Sequence, residues 1–206
     1  MWGGQSYSPS VAVEGLTDEA VVARVCRELG IQIGPVYGRR GKDHLREHIG
    51  AYNTAAALTP WLVVVDLDHA PAFPCAPSLA ASWLATPSAH MCLSVAVHET
   101  EAWLLGDVDR FGSYFGVPAR LLPARPEEVP DPKALVVRVC SQSRRRDVRE
   151  DMVPRPGAGT TIGSGYSGRV IQFASDPDKG WRPQQARASC PSLDRVMRRL
   201  TDWRAE

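Results

Sequence analysis

Three short acidic segments carry the residue types best suited to chemistry in this chain of 206 residues: Val13-Glu14-Gly15-Leu16-Thr17-Asp18, Val65-Asp66-Leu67-Asp68 and Val97-His98-Glu99-Thr100-Glu101. Crowded carboxylates repel one another unless a cation neutralises them, and Mg²⁺ and Mn²⁺ favour such hard oxygen donors. Asp66 and Asp68 are two apart, so in extended backbone both side chains leave the same side of a strand. Gly15 permits a tight turn behind Glu14. Any one segment alone reads as strand-end polarity with acidic helix caps. All three follow apolar runs that read as strands, and that shared position argues for a cation site.

The elements that must position them follow from the hydrophobic pattern. Residues 10–13 and 31–37 read as short strands and 92–97 as a further buried strand, while the continuously apolar run 61–65 reads as a central strand covered on both faces. Helices are expected at 17–29 (Thr17 as N-cap), 42–57, 79–85 and 99–105. Strands alternating with helices predict an α/β fold with a parallel or mostly parallel sheet. In such sheets ligands bind beyond the C-terminal strand ends, where all three acidic segments fall. Past Gly116 the chain turns proline-rich. It resumes with a helix at 133–141, a basic and then Gly/Pro-rich stretch at 144–168 that reads as mobile, and closing helices at 170–174 and 193–203. The expected organisation is an α/β domain over 1–118 with a basic, mainly helical extension over 119–206 packed on it.

The order and spacing of the first two segments resemble the TOPRIM domain of topoisomerases, primases and small nucleases. Val13-Glu14-Gly15 and the later pair Asp66 and Asp68 are separated by a helix, a strand and another helix, as that fold requires. Glu99-x-Glu101 resembles the additional acidic motif of OLD-family TOPRIM nucleases. The run Glu101-Ala102-Trp103-Leu104-Leu105, with Ser189-x-Pro191-Ser192-Leu193, is similar to small bacterial TOPRIM-like proteins often encoded beside an AAA-type ATPase and linked to phage defence. The resemblance implies a sheet of about four strands between helices and Mg²⁺- or Mn²⁺-dependent cleavage of DNA or RNA. It implies one ion held by Glu14, Asp66 and Asp68, and a second site from Asp18, Glu99 and Glu101. Two such ions about 3.5–4 Å apart would clamp the attacking and leaving oxygens. Lys133 is the candidate for stabilising charge on the phosphate, its plainer reading being a solvated helix-start lysine. His69, beside the acidic pair, reads either as a group that hydrogen-bonds a metal ligand or as a loop histidine.

Other patterns compete. His44-Leu45-Arg46-Glu47-His48 matches H-x-x-E-H, the signature of some zinc peptidases, which would need a third ligand such as Glu99 or Glu101; the stretch is otherwise rich in charge and reads better as a solvated helix face, with the peptidase a minor alternative. Gly163-Ser164-Gly165-Tyr166-Ser167-Gly168 matches G-x-G-x-x-G but follows no strand, so a glycine-rich loop is expected rather than a dinucleotide fingerprint. Arg144, Arg145, Arg146 and Arg169, with Arg149, Arg155 and Arg182, are candidate phosphate contacts, and Tyr166 and Trp181 candidate base-stacking residues, the plainer reading of each being a solvated arginine or a core aromatic. Charge is uneven, 7 Lys+Arg against 12 Asp+Glu through Pro118 and then 17 against 11, which reads either as a cation-binding half and a polyanion-binding half or as two differently solvated surfaces. The alternative to an enzyme is a non-catalytic subunit that binds nucleic acid or an ATPase. Five scattered cysteines without a CxxC pair suggest neither a disulfide framework nor a zinc ribbon. With no long apolar run and no leader-like N-terminus, the expected compartment is the cytoplasm, with no membrane partner.

Overall fold

A computed structural model describes residues 8–68 and 73–205; His69 lies outside them. The fold is organised by a strand with no polar face. β3 (Trp61–Asp66) is buried at all six positions, which demands cover on both sides. β1 (Ser10–Val13) and, beyond it, β2 (Val36–Gly38) lie to one side, and β4 (Met91–Ala96) to the other. Every pairing is parallel and the order is β2-β1-β3-β4. The chain therefore winds outward in one direction from β1 and in the other from β3. That reversal leaves a crevice past the C-terminal ends of β1 and β3, the place where open α/β sheets bind ligands.

Alternation along the strands divides the interior into two cores. Leu62 and Val64, with Val11 and Val13, face the larger one; Val63 and Val65, with Ala12 and Trp61, face the smaller. The smaller core is closed by α2 (Lys42–Ala55) through Leu45, Ile49 and Tyr52, and by α3 (Ala76–Trp83) through Ala76 and Leu79. The larger is closed by α1 (Leu16–Glu28), α4 (Thr100–Leu105), α5 (Val108–Phe115), α6 (Pro132–Cys140), α7 (Arg146–Met152), α8 (Tyr166–Ser175), α9 (Pro183–Ala186) and α10 (Pro191–Ala205). Residues on both sides of position 118 thus share one core. Two tryptophans join them: the Trp103 indole N–H donates to Ser192 Oγ at 2.7 Å, and that of Trp181 to the Trp103 carbonyl at 3.0 Å.

Several boundaries differ from the sequence reading for local reasons. α1 begins at Leu16 with Gly15, not Thr17, as its N-cap, because the Asp18 carboxylate turns back to accept the Gly15 N–H at 3.0 Å. Of the expected second strand, 31–37, only Val36 and Tyr37 pair, and the strand continues to Gly38; Pro35, just before it, has no N–H to give a ladder. The stretch 144–168 is less free than its composition suggests. It contains α7, and a Cβ on Gly163 would sit 2.2 Å from the Asp151 carbonyl oxygen. Gly163 and Gly165 are therefore glycine because the turn into α8 packs against the end of α7, and Gly168 lies within α8. The cysteines are unbridged, and among the described residues no helix is long and apolar enough to cross a membrane.

Candidate functional site

Each acidic segment leaves the sheet at a strand end and enters a turn or helix, so backbone geometry aims its carboxylates at the crevice. Glu14 follows β1 directly, and its Oε1 accepts the Asp66 N–H at 2.8 Å, which ties the ends of β1 and β3 together. Asp66 is the last residue of β3 and is buried; its Oδ1 accepts the N–H of Thr100 at 3.0 Å, at the start of α4. Thr100 Oγ1 in turn donates to Asp18 Oδ1 at 2.6 Å. A single hydrogen-bonded chain, Glu14–Asp66–Thr100–Asp18, thus runs across all three acidic segments.

Asp68 reaches the same crevice by a different route. Its φ of 55° places it in the left-handed region, so strand alternation does not set its direction as the two-residue spacing had implied. Lys42, the first residue of α2, holds it instead: Nζ donates to Asp68 Oδ2 at 2.7 Å and to the Asp66 and Leu67 carbonyls. Lys42 escaped the sequence reading because nothing in Gly41-Lys42-Asp43 marks a side chain that crosses to the end of β3.

The far wall comes from beyond residue 118. Lys133 Nζ lies 3.5 Å from Glu99 Oε1 and 3.7 Å from Glu101 Oε1, and the Lys133 backbone N–H donates to Glu99 Oε2 at 2.9 Å. The Tyr166 hydroxyl donates to Glu101 Oε1 at 3.0 Å. Glu14, Asp18, Asp66, Asp68, Glu101, Lys133 and Tyr166 line a cleft of about 440 Å³. Glu99 does not line it; its carboxylate grips both ends of Lys133, so it acts as an anchor for the lysine rather than as a donor facing the cleft.

Burial and mutual repulsion make these groups reluctant to ionise together. Burial, opposed by the Asp66 N–H and reinforced by Asp68, pushes Glu14 up to about 7. Burial also pushes Glu101 up to about 7, against the pull of Lys133. It lifts Asp66 well above the usual carboxylate range, with Asp18, Glu101 and Glu14 adding repulsion, and raises Asp18 as well. Burial opposes the charge of Lys133, yet Glu101, Glu99 and Asp66 outweigh it and hold the ammonium above the ordinary lysine range. Carboxylates outnumber cationic side chains in the cleft, and every donor is a hard oxygen. That donor set fits Mg²⁺ or Mn²⁺, with Glu14, Asp66, Asp68, Asp18 and Glu101 able to supply ligands. Among the described residues the group with three ligand atoms mutually within 4.8 Å is elsewhere: His44, Glu47 and His48.

The remaining expectations sort clearly. His44 and His48 come together, but with Glu47 beside them on α2; Glu99 and Glu101, expected as a third zinc ligand, are tied to Lys133 and Tyr166. Tyr166 and Trp181 are fully buried and cannot stack on bases without opening the core. Most of the basic tract is held by intramolecular partners. Arg145 and Arg169 both bind Asp147, at 2.6 and 2.8 Å, Arg169 also binds Asp151 at 2.6 Å, and Arg146 binds Glu150 at 2.7 Å. Arg182 makes a two-point pair with buried Asp107 at the N-cap of α5. Arg144 is exposed with its side chain outside these pairs, and exposed Arg155 lines a hollow that shares Ile162 and Ser167 with the acidic cleft. Compared with protein-family models, curated proteins and solved structures, the chain matches none.

Proposed function

We propose that this protein is a TOPRIM-like, Mg²⁺- or Mn²⁺-dependent nuclease that cleaves phosphodiester bonds in DNA or RNA. The observation that carries this reading is the gathering of carboxylates from three strand ends, with Lys133, in one cleft at the topological switch of the sheet. Glu14, Asp66 and Asp68 would hold the ion, with Asp18 and Glu101 adjoining. A divalent cation bound there supplies charge neutralisation at the phosphate and activation of water. The chain's own residues do the rest. Thr100 and the Asp66 N–H keep the carboxylates oriented, and Glu99 presents the Lys133 ammonium to charge developing on the phosphate. Tyr166 holds Glu101 in place from the buried side. Arg155, whose hollow adjoins the cleft, is the arginine best disposed to meet the flanking backbone, since Arg145, Arg146 and Arg169 already have partners and Arg144 lines a separate hollow beside Gly116 and Pro118. By the same resemblance, an AAA-type ATPase partner, a role in phage defence and a cytoplasmic setting belong to this proposal.

The test is cleavage of end-labelled single- and double-stranded DNA and RNA with Mg²⁺ or Mn²⁺. Cleavage by the purified chain, lost in Asp66→Asn and Glu14→Gln while the fold is retained, is the expected result. No cleavage of any substrate with either metal would overturn the enzyme. Retained nucleic-acid or ATPase binding would then identify a non-catalytic subunit.

A further inference from the structure

The outer face of α2 carries a second constellation that owes nothing to the acidic cleft. His44, Glu47 and His48 stand at i, i+3 and i+4, so one helical turn places them on the same side. One ligand atom from each lies within 4.8 Å of the other two, and the two imidazole rings are 4.1 Å apart between centroids. Donors bound to one tetrahedral ion at about 2.0–2.1 Å are roughly 3.3 Å apart, so closure requires each pair to draw together by up to about 1.5 Å. Glu47 and His48 are exposed and His44 only partly covered, which leaves their side chains room to make that shift.

The orientation of His48 is already set for ligation. Its Nδ1 lies 2.9 Å from the carbonyl oxygen of His44. A carbonyl only accepts, so Nδ1 carries the proton and the neutral ring presents its lone pair at Nε2. Metal-bound histidines are oriented in this way, with the second ring nitrogen donating to a backbone carbonyl. The ring is further steadied by Tyr52, 6.2 Å away at 29°, which itself stacks on buried Trp61 at 4.7 Å and 17°. Two imidazoles with one carboxylate suit Zn²⁺ and its neighbours rather than Mg²⁺, whose preference is for oxygen alone.

We propose that His44, Glu47 and His48 form a separate surface site for a borderline divalent cation of the Zn²⁺ class, distinct in place and in metal preference from the carboxylate cleft. Three ligands from one helical turn leave at least one coordination position facing outward. Glu47 serves as a ligand here rather than as the general base that the H-x-x-E-H peptidase chemistry would ask of it.

The experiment is titration of the tag-free 206-residue chain with Zn²⁺ by calorimetry in millimolar Mg²⁺, with Co²⁺ visible absorption as a second readout. The expected result is one Zn²⁺ per chain. The His44→Ala/His48→Ala double variant, with its melting temperature checked, should lose affinity by at least about tenfold and lose the Co²⁺ ligand-field bands. Asp66→Asn should leave Zn²⁺ binding unchanged. Absence of Zn²⁺ binding in the parent chain, equal affinity in the folded double variant, or loss of binding in Asp66→Asn instead would each overturn the site.

Discussion

At the scale of single residues, Glu14 and Glu101 show how burial makes ordinary carboxylates hold their protons toward neutral pH. A group whose folded pKa is raised binds more protons in the native than in the unfolded chain between its two pKa values. For Glu14 and Glu101 that window runs from the ordinary 4.5 to about 7, so without metal their contribution to stability falls as pH rises through it. Melting curves in chelator should show a lower transition temperature at pH 8 than at pH 5.5. Mg²⁺ should raise it more at pH 8, because the cation binds the ionised form. An equal Mg²⁺ effect at both pH values would contradict this electrostatic account. Glu101→Gln keeps an acceptor for Tyr166 but removes a buried charge. It should stabilise the metal-free protein at pH 8 by roughly 1–3 kcal/mol and do little at pH 5. Denaturant unfolding at the two pH values measures the difference.

At the scale of elements, the acidic edge depends on how helices begin. Asp18 caps α1 and Thr100 opens α4, so the same groups that end the strands and start the helices also orient the site. Farther away, Asp107 caps α5 while paired with Arg182 and is only 2% exposed. Arg182→Ala would remove the guanidinium and leave that buried carboxylate only the backbone N–H donors of Arg110 and of position 182, and a loss of about 2 kcal/mol in chemical denaturation is expected. The glycine-rich turn makes a sharper contrast. Gly163→Ala forces a Cβ against the Asp151 carbonyl and should destabilise by about 1–3 kcal/mol. Gly168→Ala meets nothing within 4 Å inside α8 and should stabilise by about 0.5 kcal/mol. If both substitutions had the same sign, this run would be the loose loop its composition suggests.

At the scale of the whole molecule, the later half of the chain belongs to the site as well as to the core. Lys133 and Tyr166 form one wall of the cleft, while Leu135, Phe173, Trp181 and Leu193 share a core with Val13, Leu62 and Trp103. A fragment ending at residue 118 would expose Trp103, Phe111 and Phe115 together. It should therefore lack a cooperative thermal transition and the near-ultraviolet circular dichroism of fixed aromatics. A fragment that melts sharply would show instead that the first half is autonomous.

The amino-acid pattern by itself determined the α/β architecture, the buried central strand and the place of all three acidic segments at strand ends. Those features are local: a five-residue apolar run and a carboxylate at its end are adjacent in the chain. It did not reveal which side chains would face each other across the cleft. Lys42 reaches Asp68 from another element, Glu99 turns away to hold Lys133, and Tyr166 is drawn into the core to bind Glu101. Such pairings depend on helix direction and on packing between residues tens of positions apart, which no local spacing encodes. The basic tract shows the same limit, since a run of arginines reads as free charge until the fold places Asp147 and Asp151 beside it. Residue order set the carboxylates at the sheet edge; tertiary packing decided which of them face the cleft and which hold its walls.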